Sequence, residues 1–344
     1  MPGNINILIG PNGSGKSNFI SFFKFLSWML NSDGKLQEYV AYLGGANDIL
    51  HDGADVTKSI DAHIKIVTSS GINEYRFSLM FAKPDKLVFR EEKYRFSDKH
   101  IPGEPRWSSC GVGHEEANLP QVYNSTAETI LKLLRKLIVY QFHNTSDTAA
   151  LRLKWSVSDS RWLKQNGENL GSFLFRLKKE EKPYYLRIVK FIRSVLPFFD
   201  DFELYDEFGQ ILLRWKEKGT NKVFNAGQAS DGMLRTIALI SLLAQNPKNL
   251  PTVLFLDEPE LGLHPGAIDT VAGLIKAASS YCQVFVATQS ISLVNNFELD
   301  DLVVIDRKGR SSEFSRPDTE SLQVYLDEFT TGQIWEKNVI GGRP

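Results

Sequence analysis

The chain has 344 residues, 42% hydrophobic and 24% charged, so it can bury a large core and is expected to form one large domain with an inserted lobe. Its formal net charge of −1 gives no general attraction to nucleic acid, so any such binding requires local clusters of Lys and Arg. No apolar run approaches the roughly 18 to 20 residues of a membrane span, and a secretory signal pattern is missing. These features predict a cytoplasmic protein with no membrane contact.

The first predicted element is a buried strand that leads through a glycine-rich turn into a helix. The apolar run INILI, residues 5–9, has the composition of a buried parallel strand. From Lys16 to about Leu30, apolar residues recur at helical spacing. The segment is therefore a predicted strand, loop and helix.

The turn between these two elements, from Gly10 to Ser17, fits the motif G-x-x-x-x-G-K-[ST]. In such a loop the backbone N–H groups turn inward on a polyphosphate, and the next helix presents its positive end. Lys16 would neutralise the β and γ phosphates of a nucleotide, and Ser17 would ligate Mg²⁺. The predicted binding residues are Asn12, Gly13, Ser14, Gly15, Lys16, Ser17 and Asn18.

The middle of the chain contains short alternating segments and then two amphipathic helices. Residues from about 55 to 100 alternate between apolar and polar as in an antiparallel meander, which predicts a β lobe. Residues 101–120 contain Pro and Gly without an apolar period and are predicted to form a long surface loop. Helices are predicted at residues 126–138 and about 183–196, and no heptad pattern links them into a coiled-coil arm.

Beyond residue 200 strands and helices alternate, which predicts a largely parallel sheet covered by helices. The predicted strands are QILLRWKEK, TVLFLDEP, QVFVATQS and DLVVID, and the predicted helices run from Asp231 to Ala244 and from Pro265 to about Ser279. We predict an α/β fold with its core at residues 1–50 and 200–344, a β lobe with the surface loop at 51–125, and a helical insertion at 126–199.

Two carboxylates end the apolar run Val253–Leu256, in the sequence Asp257-Glu258-Pro259. They therefore lie at the carboxyl end of a predicted buried strand, where open α/β sheets bind their ligands. Asp257 suits the outer coordination sphere of Mg²⁺, and Glu258 is placed to orient and deprotonate an attacking water. Alone, such a strand end is usually a pair of solvated charges, but beside the phosphate-binding loop it predicts nucleotide hydrolysis.

A second candidate anion site lies at Ser230-Asp231-Gly232, at the start of a predicted helix. A Ser hydroxyl, a Gly N–H and a helix N-terminus converge there. An ordinary N-cap, which Ser and Asp supply routinely, explains these three residues equally well when they are taken alone.

Four motifs in chain order, GPNGSGKSN, ASDGMLR, LFLDEPELGLHP and VFVATQS, resemble the ATPase head of RecF-like, SMC-like and OLD-family proteins. More narrowly, LQEYVAYLGG, YQFHNTSD, LPFFDDFEL and IWEKNVIGGRP resemble bacterial AAA-domain ATPases, over nearly the whole chain. The resemblance implies an ABC-type P-loop fold, ATP and Mg²⁺ as ligands, and a homodimer in which two heads meet head to tail.

The same resemblance implies roles for individual residues. Ser230, Asp231 and Gly232 match the signature that contacts the γ phosphate held by the opposite subunit, and residues 260–264 match the D-loop. Gln289 falls where most ABC enzymes have a His and is a candidate catalytic residue; an ordinary polar residue closing a strand is the alternative. A Gln amide carries no proton or charge, so slow turnover is expected.

Two further points follow from comparison with these families. Gln141 in VYQFHN is a candidate Q-loop residue that contacts Mg²⁺, or alternatively part of an interior strand. The families usually have one or two strands before the P-loop strand, whereas here Gly10 is reached directly. Residues that contact the nucleotide base are therefore not assigned.

Lys and Arg outnumber acids between residues 130 and 193, and aromatic residues are interleaved with them. Such a lobe over an ATP-closed dimer would hold duplex DNA through its phosphates, although the interspersed acids equally fit solvated helix faces. Cys110, Cys282 and the six histidines lack metal-ligand spacing, and no G-x-S-x-G elbow is present. Any nuclease activity is expected to come from a separate effector chain.

We therefore expect an ATP-hydrolysing ABC-type ATPase with composite sites, coupled to DNA engagement or to a partner effector in DNA repair or phage defence. The alternative is a slow or non-hydrolysing scaffold or sensor that uses ATP to hold a partner protein. Gln289 favours this alternative, whereas Glu258 favours hydrolysis.

Overall fold

The computed structural model describes residues 3–30, 35–146 and 148–343. Its strands are β1 Ile5–Ile9, β2 Ser59–Val67, β3 Gly71–Ala82, β4 Lys86–Asp98, β5 Ser108–Gly111, β6 Leu137–Tyr140, β7 Trp155–Ser156, β8 Phe199–Phe202, β9 Gln210–Ile211, β10 Arg214–Glu217, β11 Val223–Asn225, β12 Val253–Asp257, β13 Gln283–Ala287, β14 Leu302–Lys308 and β15 Ser311–Ser315. Its α-helices are α1 Lys16–Met29, α2 Leu36–Tyr42, α3 Ala46–Ile49, α4 Ser125–Leu134, α5 Leu170–Glu180, α6 Lys182–Val195, α7 Asp231–Leu243, α8 Pro265–Ser279, α9 Ile291–Val294, α10 Thr319–Leu326 and α11 Thr331–Glu336.

The central sheet has the strand order β15-β14-β1-β13-β12-β6. β1 pairs in parallel with β13 on one side and β14 on the other, and β12 pairs in parallel with β13. β1, β12 and β13 are apolar over nearly their whole length and buried, as strands covered on both faces are. The predicted α/β class and mostly parallel sheet are confirmed.

Three aromatic rings connect α1 to two strands of this sheet. Phe255 of β12 stacks on Phe285 of β13, with ring centroids 5.0 Å apart and an interplanar angle of 17°. Phe19 of α1 contacts both rings, at centroid distances of 6.3 and 5.9 Å. The cluster joins the helix after the glycine-rich turn to the strand that carries Asp257.

The chain divides into two compact units, residues 1–20 with 139–344 and residues 21–138. The second unit contains the antiparallel sheet β2-β3-β4-β5, which confirms the predicted meander. The first unit contains the central sheet and the helices α5 to α11. The division into segments 1–50 with 200–344, 51–125 and 126–199 has other boundaries and stays a prediction.

Residues 101–120 are not one long surface loop, contrary to the prediction from sequence. β5 pairs with β4, so that Tyr94 lies opposite Ser108. The Glu92 carboxylate, which is fully buried, accepts hydrogen bonds from the N–H groups of Asn118 and Leu119. The Glu92 carboxylate of β4 therefore orders the end of this segment. The order comes from hydrogen bonds to a charged group, so an apolar periodicity in the sequence does not predict it.

The helix predicted at residues 126–138 ends earlier, and a helix before residue 182 is missing from the sequence prediction. α4 ends at Leu134, and residues 137–140 form β6 next to β12 in the central sheet. α5, residues 170–180, is largely buried in the first unit. Gly171 and Ser172 weaken its helical pattern, and Gly171 lies close to the backbone of Leu213.

None of the described helices is both long and apolar enough to cross a membrane.

Replacing Phe255 with Ala is expected to lower the free energy of unfolding by about 3 to 5 kcal/mol, because the ring is buried and its removal leaves a cavity between α1 and the sheet. Chemical denaturation measures this change. The control is Tyr281→Ala, at a side chain that is 67% exposed. This substitution should lower the free energy of unfolding by less than about 0.5 kcal/mol. Equal losses in the two variants would contradict the structural role of the aromatic cluster.

Candidate nucleotide-binding site

The glycine-rich turn between β1 and α1 holds a buried ammonium group. Lys16 is 6% exposed, and its Nζ donates hydrogen bonds to the carbonyl oxygens of Gly10 at 2.6 Å and Pro11 at 3.0 Å. Burial lowers the pKa of Lys16, and the nearby Glu258 and Asp257 carboxylates oppose this change. The structure thus brings the loop lysine and the two predicted carboxylates into one electrostatic environment.

The Asp257 carboxylate lies at the carboxyl end of β12. Its Oδ2 accepts a hydrogen bond from Nε2 of Gln141 at 3.0 Å, and burial raises its pKa. The other oxygen, Oδ1, is buried and has no hydrogen-bond partner among the described residues. A buried carboxylate oxygen without a partner can accept a hydrogen bond from, or coordinate, a hydrated divalent cation. Mg²⁺ prefers oxygen ligands of this kind.

The next carboxylate, Glu258, has a left-handed backbone and a fixed side chain. Its φ of 42° is unusual for a residue with a Cβ and costs on the order of 1 to 3 kcal/mol. Oε1 accepts a hydrogen bond from Nε2 of Gln289 at 2.8 Å. The strained turn and the amide together hold this carboxylate next to Asp257.

Gln141 follows β6 and is not part of that strand. Because β6 lies beside β12 in the sheet, the residue after β6 reaches the carboxylate of Asp257, the last residue of β12. Gln141 itself is therefore not part of an interior strand, which was the alternative interpretation from sequence. Contact with Mg²⁺ itself stays a prediction.

The second candidate anion site, Ser230 to Gly232, lies at the N-terminus of α7. Ser230 is the N-cap, and its hydroxyl accepts a hydrogen bond from the N–H of Met233 at 3.2 Å. The ordinary capping interpretation is therefore correct, and it is compatible with a further role because Ser230 and Asp231 are exposed. Gly232 packs closely: a Cβ added there would meet the carbonyl oxygen of Gly262 at 2.4 Å.

Two arginines connect this helix end to the segment after β6, and neither was predicted from the sequence to belong to the site. Arg235 of α7 donates hydrogen bonds to the carbonyls of Phe142 at 3.2 Å, His143 at 2.9 Å and Leu261 at 3.2 Å. Arg152, which is buried, donates to the carbonyls of Thr145, Ala226 and Ala229 and to the Asp231 carboxylate. Arg235 is the last residue of the motif ASDGMLR, and its place in that motif is the feature of the sequence that could have predicted its role.

His143 and Glu260 are further polar groups near the carboxylates. Nε2 of His143 lies 4.0 Å from Oδ2 of Asp257, although His143 was not predicted to belong to the site. Glu260 accepts a hydrogen bond from the Thr288 hydroxyl, and burial raises its pKa. Glu260 follows these carboxylates within two residues of Glu258, whereas His143 becomes their neighbour only through the fold, because it lies in the segment after β6.

Many basic residues between 130 and 193 are engaged in ion pairs within the protein. Lys164 pairs with Asp159 at 2.9 Å, and Arg176 pairs with Glu181 at 2.6 Å. Further pairs join Lys154 to Glu207, Lys178 to Asp201 and Arg193 to Asp200. These carboxylates offset part of the positive charge that the sequence suggested for DNA contacts.

A family model described as "AAA domain, putative AbiEii toxin, Type IV TA system" matches residues 5–295 of the chain. The energy-coupling factor transporter ATP-binding protein EcfA2 of two Staphylococcus epidermidis strains is 34% identical over 90 residues, 26% of this chain. The match covers only 30% of the length of these curated relatives.

The fold is similar to that of SMC heads in solved structures. An SMC head bound to the C-terminal winged-helix domain of ScpA has a TM-score of 0.57 and 15% identity, covering 92% of this chain and 91% of that one. The Pyrococcus furiosus Smc head, bound to the C-terminal domain of ScpA, has a TM-score of 0.54 and 14% identity, covering 94% and 92%. The likeness shows the fold, which is that of an SMC head.

Replacing Gly232 with Ala is expected to lower the free energy of unfolding by about 1 to 3 kcal/mol, because the added Cβ must displace the backbone at Gly262. Thermal or chemical unfolding measures the change. Gly273, in the interior of α8, is the matched control, since an added Cβ meets nothing within 4 Å. Gly273→Ala should raise the free energy of unfolding by about 0.5 to 1 kcal/mol, and a gain of similar size at Gly232 would contradict the close packing.

Proposed function

We infer that this chain, which belongs to the AAA-domain family matched above, hydrolyses ATP in sites that two copies complete head to tail. One observation carries the inference of hydrolysis. The loop lysine Lys16 shares one environment with Asp257 and Glu258, and Gln289 holds Glu258 in a strained, oriented position. A site for binding alone does not require an oriented carboxylate at that place.

In the proposed reaction the glycine-rich turn and Lys16 bind the phosphates, and Ser17 and Asp257 hold Mg²⁺, with Gln141 fixing the Asp257 carboxylate. Mg²⁺ supplies charge compensation for the phosphate oxygens when it is bound. Glu258 accepts the proton of the attacking water, while the hydrogen bond from Gln289 to Oε1 fixes the orientation of the Glu258 carboxylate. Because Gln289 donates a hydrogen bond without carrying charge, turnover is expected to be slow.

The composite nature of the site is supported by the exposed end of α7. Ser230 and Asp231 are exposed, whereas Arg152 and Arg235 fix the backbone around them from inside the protein. A rigid, solvent-facing helix N-terminus with a hydroxyl and a Gly N–H suits a phosphate presented by a second copy. ATP would then hold the two heads together.

The Glu258→Gln variant is expected to reduce phosphate release by about 10² to 10⁴-fold, since it removes the proton acceptor and keeps the shape of the side chain. It should also accumulate as an ATP-bound dimer, which light scattering after size exclusion detects. Glu320→Gln, an exposed position on α10, serves as the control and should behave as wild type. A Glu258→Gln protein that stays monomeric with saturating ATP and Mg²⁺ would rule out ATP-driven dimerisation.

Mixing two inactive variants tests the shared site directly. Lys16→Ala removes the phosphate-binding lysine, and Ser230→Arg blocks the opposite surface, so neither protein alone should hydrolyse ATP. In an equimolar mixture half of the dimers pair one copy of each, and each such dimer retains one intact site. The mixture should therefore recover about a quarter of the wild-type rate of phosphate release. No recovery, although the mixed dimer forms, would place all catalytic groups in one copy.

The non-hydrolysing scaffold is the second candidate, and it is favoured by Gln289 itself, a neutral amide where most ABC enzymes have a His. Steady-state phosphate release equal in wild type and Glu258→Gln would establish that alternative. The ScpA domains bound by the SMC heads above support a partner chain for this protein. DNA engagement through residues 130–193 and a role in repair or phage defence stay predictions.

A further inference from the structure

The strand order of the central sheet gives the nucleotide site two unequal sides. β1, which leads into the phosphate-binding turn, lies between β13 and β14. The side of β13 and β12 carries Gln289, Asp257 and Glu258, which we assign to the γ phosphate. A nucleotide bound with its γ phosphate beside these carboxylates would place its nucleoside farther from them, and the side of β14 is consistent with that position.

The hairpin formed by β14 and β15 comes close to the phosphate-binding turn on this second side. A Cβ added to Gly15 would meet the Ser312 hydroxyl of β15 at 2.2 Å. Phe314 of the same strand contacts Phe19 of α1, with ring centroids 5.3 Å apart. The hairpin is therefore packed against the turn and the beginning of α1.

Residues 341–343, from the motif IWEKNVIGGRP, also lie beside the turn. A Cβ added to Gly342 would meet Cγ1 of Val304 at 2.6 Å and Cα of Gly10 at 3.4 Å. The N–H of Gly342 donates to Oδ1 of Asp306 at 3.1 Å, and its carbonyl accepts a hydrogen bond from Nε1 of the buried Trp335. These contacts place the backbone of Gly342 against the start of the phosphate-binding turn.

The conformation of this segment requires glycine, and an exposed residue follows it. Gly341 and Gly342 have φ values of 79° and 60°, in the left-handed region that residues with a Cβ rarely adopt. Arg343 follows directly after the backbone that packs against Gly10, and its side chain is exposed.

We propose that residues 341–343 form the nucleoside side of the ATP site and that Arg343 stacks its guanidinium on the purine ring. Arginine stacks on aromatic faces, and a purine offers such a face beside the phosphate-binding turn. The turn at 341–342 and the Ser312 hydroxyl form the wall below the base. The proposal rests on ATP binding at Lys16, and it supplies the base contact that the sequence left unassigned.

Binding of three ligands to the full chain tests the proposal: ATP, ADP and inorganic tripolyphosphate, each with Mg²⁺, measured by calorimetry. Arg343→Ala should raise the Kd for ATP and for ADP by the same factor of about ten and leave the Kd for tripolyphosphate unchanged. Arg343→Lys should lose most of the same affinity, because an ammonium lacks the planar stacking face. Arg161→Ala, at an exposed arginine elsewhere in the same unit, should bind all three ligands as wild type.

Two further variants separate the outcomes. Lys16→Ala should weaken the binding of all three ligands, and an unchanged Kd for ATP in this variant would defeat the proposed ATP site itself. If Lys16→Ala weakens ATP binding but Arg343→Ala does not, only the nucleoside contact is wrong. If Arg343→Ala weakens the binding of tripolyphosphate by the same factor as that of ATP, the nucleoside contact is also wrong, since Arg343 would then contact phosphate. Gly342→Ala should weaken ATP binding as well, and its melting temperature shows whether it remains folded.

Discussion

The parallel pairing of β1 with β13 and of β13 with β12 is the constraint on which the site depends. These strands end at the same edge of the sheet, so the phosphate-binding turn, Gln289 and the carboxylates of Asp257 and Glu258 meet there. The rings of Phe19, Phe255 and Phe285 connect α1 to both strands. The candidate catalytic groups, which come from distant parts of the sequence, are therefore positioned by a buried apolar core.

A second set of contacts links the carboxylates to the exposed end of α7. Gln141 binds Asp257, and the backbone two to four residues later accepts hydrogen bonds from Arg235 and Arg152. The same arginines hold α7 and the loop before it. Asp257 is thus linked, through hydrogen bonds and the backbone of residues 141–145, to the surface proposed to meet the second copy.

Prediction from sequence succeeded where local pattern and tertiary contacts favour the same element, as for β1, α7, β12 and α8. Prediction was wrong where contacts between residues distant in sequence decide which element forms. Residues 137–140 continue the apolar period of α4, yet they form β6 beside β12, whose edge they cover. The N–H groups of Asn118 and Leu119 are ordered by Glu92, which lies more than twenty residues away.

The sequence by itself determined the class of protein, because a glycine-rich loop with Lys16 and a strand ending in two carboxylates are local patterns with a direct chemical reading. It also located the exposed cap at Ser230. Only the tertiary structure decided that Gln141 binds Asp257, that Gln289 holds Glu258, and that Gly342 packs on Gly10. Each of these contacts joins loops far apart in the chain, and the strand order that brings them together is not a local property.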